Sequence, residues 1–209
     1  MARVDVSRAA NIVVVAGSSG SGKSEWVKRQ IRRKRRVIVW DPDGEYDGQR
    51  FASVRELLQV ARANPAGPGR YCLTSARLAD FDLWAKIAFA WANCVAVAEE
   101  TADVTSPGKA PEGWGQLVRR GRKRGITVIG VTQRPAESDK TIMGNATLIH
   151  CGRLARDKDR RYMAQELDCP LDALPTEPLE WVERRPGGEF KTGKLFFRGQ
   201  KKPIFTPKK

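Results

Sequence analysis

The sequence predicts an α/β protein with a mainly parallel central sheet. Three observations support this fold class. Short apolar runs rich in valine and isoleucine recur along the chain, segments of helical composition separate them, and turn-forming residues follow most of the runs. Crossover helices cover both faces of a parallel sheet, so its strands are expected to be continuously apolar rather than alternating.

Length and charge set the first limits. The 209 residues suit one α/β domain with a full core and are few for two domains. We expect residues 1–170 to form the core, and residues 171–209 to add a small hairpin and a basic tail to the same domain. The 38 Lys and Arg residues outnumber the 24 Asp and Glu residues, giving a formal net charge of +14. This excess predicts a polyanionic partner, for which nucleic acid is the natural candidate; a basic surface without a partner is the alternative.

Cysteine spacing and hydropathy disfavour several other classes. The four cysteines show no C-x-x-C spacing, and His150 is the only histidine, so disulfide and zinc sites are not expected. Reduced, mostly buried thiols fit an intracellular protein. No apolar run approaches the ~20 residues that span a bilayer, and residues 1–11 lack the apolar centre of a signal peptide. We therefore expect no stable membrane insertion.

The first apolar run, residues 12–16, leads into a glycine-rich loop and a helix. The loop fits the phosphate-binding (Walker A) pattern G-x-x-x-x-G-K-[ST]. Glycines let several backbone N–H groups converge on a polyphosphate. We expect Lys23 to reach the β- and γ-phosphates of a nucleotide and the Ser24 hydroxyl to bind Mg²⁺. A flexible turn is the alternative, but the strand, loop, helix order favours nucleotide binding. The residues assigned to the nucleotide are Gly17, Ser18, Ser19, Gly20, Ser21, Gly22, Lys23, Ser24 and Glu25.

A basic run closes the predicted first helix at residues 28–36. Cations there complement the negative end of the helix dipole, but this run holds more of them than a helix end needs. Part of the run is therefore expected to face a phosphate backbone or a neighbouring subunit.

Residues 37–41 form the second predicted strand, which ends in the carboxylate-rich turn 42–46. The strand ends of a parallel sheet point towards the ligand crevice.

An amphipathic helix follows at residues 53–63, then a short strand at residues 70–74. The next predicted helix, residues 80–93, has apolar residues around most of its circumference, so it is expected to be buried or to meet a neighbouring subunit.

The strand predicted at residues 94–101 delivers two adjacent carboxylates, Glu99 and Glu100, at its end. We expect Glu99 to hold Mg²⁺ through water or through Ser24, and Glu100 to orient and deprotonate an attacking water. Aspartate is usual at the first position, so Glu99 leaves the division of roles open. An acidic pair on the surface is the alternative.

A mobile loop is predicted at residues 102–113, a helix with a basic end at residues 114–124, and a buried strand at residues 125–132. Gln133 lies at the tip of that strand, where it can sense the γ-phosphate or the attacking water by hydrogen bonding.

The last part of the chain holds a core strand at residues 146–152 and a helix at residues 157–166. Residues 179–184 and 194–198 are predicted to form a hairpin outside the core. The tail, residues 201–209, is basic and expected to be mobile.

Four blocks of the sequence occur in the order and approximate spacing of the HerA/FtsK superfamily of DNA-pumping ATPases, which the chain resembles over residues 10–170. They are residues 15–24, 40–46, 97–100 and 121–135. The last block is the most specific, because its basic helix end, apolar strand and Thr-Gln-Arg-Pro sequence are unlike those of kinases or GTPases. The resemblance implies a RecA-like, ASCE-type P-loop NTPase with a three-layer sandwich, and ATP and Mg²⁺ as its ligands.

Within the superfamily, the chain is most similar to the compact genome-packaging ATPases of tailless, membrane-containing viruses. Zot-like assembly ATPases of filamentous phages are the runner-up. The resemblance implies a ring, expected to be a hexamer, with double-stranded DNA in its pore, possible capsid or portal-vertex partners, and a location in the host cytoplasm or the virion. It also implies an arginine that reaches the ATP of the neighbouring subunit; the candidates are Arg119, Arg122, Arg153 and Arg156.

Three functions therefore compete. The first is an ATP-driven motor that packages viral double-stranded DNA. The second is a nucleotide-dependent switch or scaffold with little turnover, which would fit the unusual Glu99. The third is a nucleotide kinase, which the Glu-Glu strand end and the Thr-Gln-Arg-Pro block disfavour.

Overall fold

The computed structural model describes residues 11–196; the predictions for residues 1–10, for residues 197–198 and for the tail lie outside this range. Nine strands within it form one sheet. They are β1 (Ile12–Ala16), β2 (Arg36–Trp40), β3 (Gln49–Phe51), β4 (Gly69–Leu73), β5 (Val95–Ala98), β6 (Thr127–Thr132), β7 (Leu148–Gly152), β8 (Glu180–Arg184) and β9 (Phe190–Lys194).

The strand order is β3-β4-β2-β5-β6-β1-β7-β8-β9. Strands β1 to β7 are mutually parallel, and β8 and β9 are antiparallel additions at one edge. Strand β6 lies between the loop strand β1 and the carboxylate strand β5, so the three predicted site segments leave neighbouring strands. The connecting helices are α1 (Lys23–Ile31), α2 (Val54–Ala63), α3 (Leu78–Trp91), α4 (Thr101–Val104), α5 (Glu112–Arg120), α6 (Lys140–Asn145) and α7 (Asp157–Leu167).

Alternate residues of the strands face opposite sides of the sheet, which gives three layers. Val13 and Val15 of β1 pack in one cluster with Trp26 and Ile31 of α1. The intervening strand residues pack in the larger cluster with α2, α3, α5, α6 and α7. Burial on both faces explains why the strands read as continuous apolar runs. The predicted α/β three-layer fold is thus confirmed.

The first helix is shorter than the basic run suggested. It ends at Ile31, and residues 32–35 form the turn into β2, whose first residue is Arg36. The Arg36 guanidinium stacks on the Trp91 ring, 3.7 Å from its centroid, and donates to the carbonyl oxygen of Trp91 at 2.9 Å. The run therefore closes the helix only through Lys28 and Arg29, which lie in its last turn, while Arg36 joins β2 to the end of α3.

The segment predicted as a loop at residues 102–113 is partly helical. Residues 101–104 form α4, and α5 begins at Glu112. The Thr101 hydroxyl donates to the Val131 carbonyl oxygen at 3.2 Å, and the Thr105 hydroxyl accepts from the Asp139 N–H at 3.0 Å. These bonds fix the start of the segment against β6 and α6, a pairing that local sequence does not reveal.

The C-terminal hairpin extends the sheet, so placing it outside the core was wrong. Its second strand is β9, earlier than the predicted residues 194–198. Val182 of β8 is fully buried, and the Glu183 carboxylate accepts from the Trp26 indole at 3.1 Å and from His150 at 3.0 Å. The hairpin is thereby bonded to the helix that follows the glycine-rich loop. Strand β3 and helix α6, both short, were not predicted.

Candidate nucleotide-binding site

The glycine-rich loop is held from beneath by neighbouring strands. The N–H of Gly17 donates to the Thr132 carbonyl oxygen at 3.2 Å, and the N–H and hydroxyl of Ser18 donate to the Arg153 carbonyl oxygen at 2.7 and 2.9 Å. A Cβ at Gly17 would lie 2.4 Å from the Ser21 Oγ. The ends of β6 and β7 thus fix the conformation of the loop before any ligand binds.

The outer part of the loop is open and suited to an anion. Gly20 has φ +72° and would have no heavy atom within 4 Å of an added Cβ. Gly22, with φ +93°, precedes α1, whose first-turn N–H groups lack acceptors within the helix. A helix N-terminus of this kind binds phosphate through its N–H groups and dipole. The local geometry therefore fits a polyphosphate.

Lys23 is buried, and its ammonium donates to the Ser18 carbonyl oxygen at 3.3 Å. Burial lowers the pKa of Lys23, and the carboxylates of Glu100, Glu99 and Glu45 oppose that shift. A backbone carbonyl is a weak partner for a buried cation, so the ammonium is available to a phosphate oxygen.

The turn that follows β2 is tied to the carboxylate strand. Asp41 is fully buried and accepts from the N–H groups of Glu45, at 2.8 Å, and Tyr46, at 3.0 Å. These bonds shape a turn that brings the buried Tyr46 hydroxyl onto Glu99, to which it donates. Burial raises the pKa of Tyr46, so its hydroxyl keeps its proton and acts only as a donor to Glu99.

Glu99 is 6% exposed, and burial raises its pKa to about 7, an effect that the Tyr46 hydrogen bond partly opposes and the Glu100 charge reinforces. The Tyr46 hydroxyl donates its hydrogen bond to the Oε1 atom of Glu99. The Glu99 side chain, which is longer than the aspartate usual at this position, is therefore held in place by Tyr46.

Glu100 and Gln133 form a pair at the strand tips. The Glu100 carboxylate accepts from the Gln133 side-chain amide at 2.8 Å and from its backbone N–H at 3.2 Å. The backbone of Glu100 is left-handed, with φ 43° and ψ 56°. Strained backbone of this kind in a non-glycine residue is concentrated at functional sites.

These groups line one cleft of about 220 Å³ at the carboxyl edge of the sheet. Its walls are Ser19, Gly20, Gly22, Lys23, Ser24, Glu25, Asp41, Asp43, Glu45, Glu99, Glu100 and Gln133. Gly17, Ser18 and Ser21, which were also assigned to the nucleotide, do not line the cleft. The three segments predicted from separate parts of the sequence are therefore brought together.

The donor set of the cleft suits a hard cation. A hydroxyl, Ser24, and carboxylates such as Glu99 are the oxygen ligands that Mg²⁺ prefers. Among residues 11–196, no group of three or more His, Cys, Asp or Glu residues could hold a metal ion unaided. Mg²⁺ usually binds one or two protein carboxylates and shares its remaining positions with water and substrate phosphates.

The arginines predicted to act on a neighbouring subunit divide into two groups. Arg119 and Arg122 are exposed and lie at the end of α5 and in the 3-10 turn before β6, which is the amino edge of the sheet, opposite the cleft. Arg153 and Arg156 follow β7 on the cleft side, where Arg156 pairs with Glu137 at 2.7 Å. None of the four lines the cleft of its own chain.

Sequence reasoning missed Tyr46 as a site residue. The position falls within a block that was recognised by resemblance, but no pattern linked it to a strand 53 residues later. The carboxylate-rich turn after β2 was expected to point towards the ligand crevice, and Asp41, Asp43 and Glu45 do line the cleft.

Comparisons with known proteins place the chain in a family. No protein-family model matches it. It is 35% identical over 179 residues to protein P9 of Pseudoalteromonas phage PM2, a match that covers 83% of this chain and 80% of that protein. None of the helices in residues 11–196 has the length and apolar character needed to cross a membrane.

Two solved structures show the same fold. The genome packaging NTPase B204 of Sulfolobus turreted icosahedral virus 2, in complex with AMPPCP, superposes with a TM-score of 0.71 at 17% identity, covering 90% of this chain and 98% of that one. The N-terminal domain of zonular occludens toxin from Neisseria meningitidis gives 0.53 at 14% identity, with 91% and 95% covered. The chain therefore belongs to the same family as protein P9 of Pseudoalteromonas phage PM2, and it shares the fold of these two structures.

Proposed function

We propose that the protein hydrolyses ATP to drive double-stranded DNA into a viral capsid. The observation that carries this proposal is the shared cleft, in which a phosphate loop, two carboxylates and a glutamine meet from three neighbouring strand ends. A loop that merely bound phosphate would not need the carboxylates and the glutamine beside it.

The residues of the cleft have distinct proposed tasks. The loop N–H groups and Lys23 bind the phosphates, and Lys23 stabilises the charge that develops on the γ-phosphate. Ser24 and Glu99 hold Mg²⁺, which when bound neutralises phosphate charge. Glu100 orients the attacking water and accepts its proton, while Gln133 fixes the Glu100 carboxylate through two hydrogen bonds.

An arginine from a neighbouring subunit completes the site in this proposal. No arginine among residues 11–196 lines the cleft of its own chain. Such enzymes supply an arginine in trans to stabilise the charge of the transition state. This supports a ring, proposed to be hexameric, with ATP between subunits. Arg119, Arg122, Arg153 and Arg156 remain the candidates.

Two further observations support DNA packaging as the process that ATP hydrolysis drives. The net charge of +14 favours a polyanionic partner. A solved structure with the same fold is a viral genome packaging NTPase, and the relative that defines the family comes from a phage. The proposed partners are duplex DNA, further copies of this chain and proteins of the capsid vertex, and the proposed location is the host cytoplasm or the virion.

Steady-state ATP hydrolysis with and without duplex DNA tests the proposal. We expect Mg²⁺-dependent turnover that duplex DNA stimulates. An absence of turnover under both conditions would exclude the motor and leave the nucleotide-dependent scaffold. Particle size measured with an ATP analogue and DNA tests the ring, and a monomer under these conditions would exclude it.

A Zot-like assembly ATPase is the second candidate. The zonular occludens toxin domain shares the fold, but its TM-score of 0.53 is lower than the 0.71 of the packaging NTPase. The two candidates differ in the need for DNA, because an assembly ATPase would hydrolyse ATP without stimulation by duplex DNA.

A further inference from the structure

Two basic segments that are far apart in the sequence meet at the amino edge of the sheet. Residues 32–35 form the turn into β2, and residues 121–124 form the 3-10 turn before β6. Strands β2 and β6 both pair with β5, so the two turns are only two strand spacings apart, about 10 Å. Helix α1 brings the first turn from one face of the sheet, and α5 brings the second from the other.

The cations of these segments are exposed and lack acidic partners. Within the described part of the chain, six cations of these segments and two more at the end of α5 make no ion pair within 4 Å and no side-chain hydrogen bond. They are Arg32, Arg33, Lys34, Arg35, Arg119, Arg120, Arg122 and Lys123. The loops that lead into β2, β5 and β6, residues 32–35, 92–94 and 121–126, contain no Asp or Glu at all. We call these eight residues the basic edge.

Two neighbouring arginines, Arg70 and Arg124, have structural roles instead, because their guanidinium groups donate to backbone carbonyl oxygens. Arg70 donates to the carbonyl oxygens of Ile31, at 3.1 Å, and Lys34, at 3.2 Å. Arg124 donates to the carbonyl oxygens of Phe89 and Ala90, at 3.3 and 3.1 Å. These guanidinium groups hold helix ends in place. The basic edge does nothing comparable, so its cations are left for an external anion.

Some exposed cations on the cleft side have acidic partners. Arg134 pairs with Asp103 and with Glu137, and Arg156 pairs with Glu137 and Asp159. What distinguishes the basic edge is that eight unpaired cations are grouped at one edge of the sheet, whereas unpaired cations such as Arg55, Lys109, Lys140 and Lys158 lie in separate parts of the chain.

We propose that the basic edge is the surface that binds the phosphate backbone of duplex DNA. The inference rests on the proposed function and names the surface that serves it. A strip about 10 Å long faces several phosphates of a duplex, which carries one charge per ~1.7 Å of axis. Exposed, flexible Lys and Arg side chains without base-reading geometry fit contacts that are independent of sequence.

The test is the salt dependence of binding to a fluorescent duplex, measured by anisotropy on the full-length protein. The test variant is Arg32→Gln, Arg33→Gln, Lys34→Gln and Arg35→Gln together. Four lost phosphate contacts would reduce the slope of log K against log salt by about 3 to 4. We expect a reduction of about 2 or more, with at least tenfold weaker binding at about 0.1 M salt.

A second variant, Arg120→Gln with Lys123→Gln, tests the other segment, and we expect a reduction in slope of about 1 to 2. Arg119 and Arg122 stay intact in both variants, so ATP turnover without DNA reports on the cleft alone. The matched control removes the same charge from four exposed cations that also lack ion pairs, and its slope should change by less than about 1. Its residues are Arg55, Lys109, Lys140 and Lys158.

Thermal melting shows that each variant is folded before it is scored. If the quadruple basic-edge variant binds DNA as the wild type does, or if the control loses as much binding, the inference is overturned while the proposed function stands. If the wild type binds no duplex DNA at any salt concentration, the proposed function falls together with the inference.

Discussion

The two edges of the central sheet have opposite charge. At the carboxyl edge, Asp41, Asp43, Glu45, Glu99 and Glu100 crowd around a cleft that contains one lysine, Lys23. At the amino edge, the basic edge exposes eight cations without an acidic partner in the described residues. The two edges are about five residues apart along each strand, or roughly 17 Å.

This separation allows each edge to keep its charge. A distance of roughly 17 Å is about twice the Debye length at physiological salt, so the cations do little to neutralise the carboxylates across solvent. The cleft can therefore be tuned for a nucleotide and a hard cation, while the opposite edge keeps the positive charge that the proposed DNA contact requires. If the two edges act independently, a substitution at one edge should leave the properties of the other unchanged.

The largest effect is expected for Glu100→Gln, which removes the proposed proton acceptor. Loss of a general base lowers turnover by about 10² to 10⁴. Nucleotide affinity, measured with a fluorescent ATP analogue, should be retained, and so should DNA affinity. If Glu100→Gln kept full activity while Glu99→Gln abolished it, the proposed roles of the two carboxylates would be exchanged.

Replacement of Lys23 by Ala removes the one cation that residues 11–196 contribute to the cleft walls. We expect turnover to fall by about 10² to 10³, because charge on the transferred phosphoryl group loses a preorganised partner. Lys158→Ala, at an exposed and unpaired position, is the control and should be neutral. A loss of DNA affinity in the Lys23 variant without nucleotide would contradict the independence of the two edges.

Glu99 makes the metal-free cleft sensitive to pH. The folded-state pKa of Glu99, about 7, lies above the unfolded value of 4.5. The protonated carboxyl group therefore contributes stability that is fully present below pH 4.5, and this contribution is lost as the pH rises through 7. At pH 8 the buried charge costs up to about 3 kcal/mol. Glu99→Gln can keep the Tyr46 hydrogen bond without the charge, so it should raise stability at pH 8 and leave it little changed at pH 4.5.

Urea denaturation of the metal-free proteins at the two pH values measures this difference. A gain that was equal at both values would mean that the Glu99 charge is not its cause. Wild-type protein with Mg²⁺ and nucleotide provides the comparison in which the charge is compensated.

The smallest effect is expected from the basic edge. Its cations repel one another through solvent, so the quadruple variant at residues 32–35 should raise the melting midpoint by no more than about 2 °C at low salt. The gain should vanish at about 1 M salt, where screening acts within ~3 Å. A gain that persisted at high salt would mean that these side chains are strained or buried in solution.

Features of the site that are local in sequence were predictable. The phosphate loop needs a strand, a glycine-rich turn and a helix in one contiguous segment, so Lys23 and Ser24 were assigned from pattern alone. Glu99, Glu100 and Gln133 followed from the rule that parallel strands end at one edge of the sheet. The structure brings all five to one cleft.

Features that depend on strand order were not predictable. Tyr46 and Glu99 are 53 residues apart, and their hydrogen bond exists because β2 and β5 are neighbours. The hairpin was assigned to the outside of the core, although β8 pairs with β7. Residues 102–113 contain turn-forming residues, yet tertiary hydrogen bonds order their first turn as α4.

The sequence by itself determined the fold class, the phosphate loop and the excess of positive charge, because composition and contiguous patterns carry that information. Only the tertiary structure decided where the charge lies. The two basic segments are nearly ninety residues apart and become neighbours only because β2 and β6 flank β5. Pairing between strands is a long-range choice made by the packing of the whole sheet, and it puts the cations on the edge opposite the nucleotide cleft.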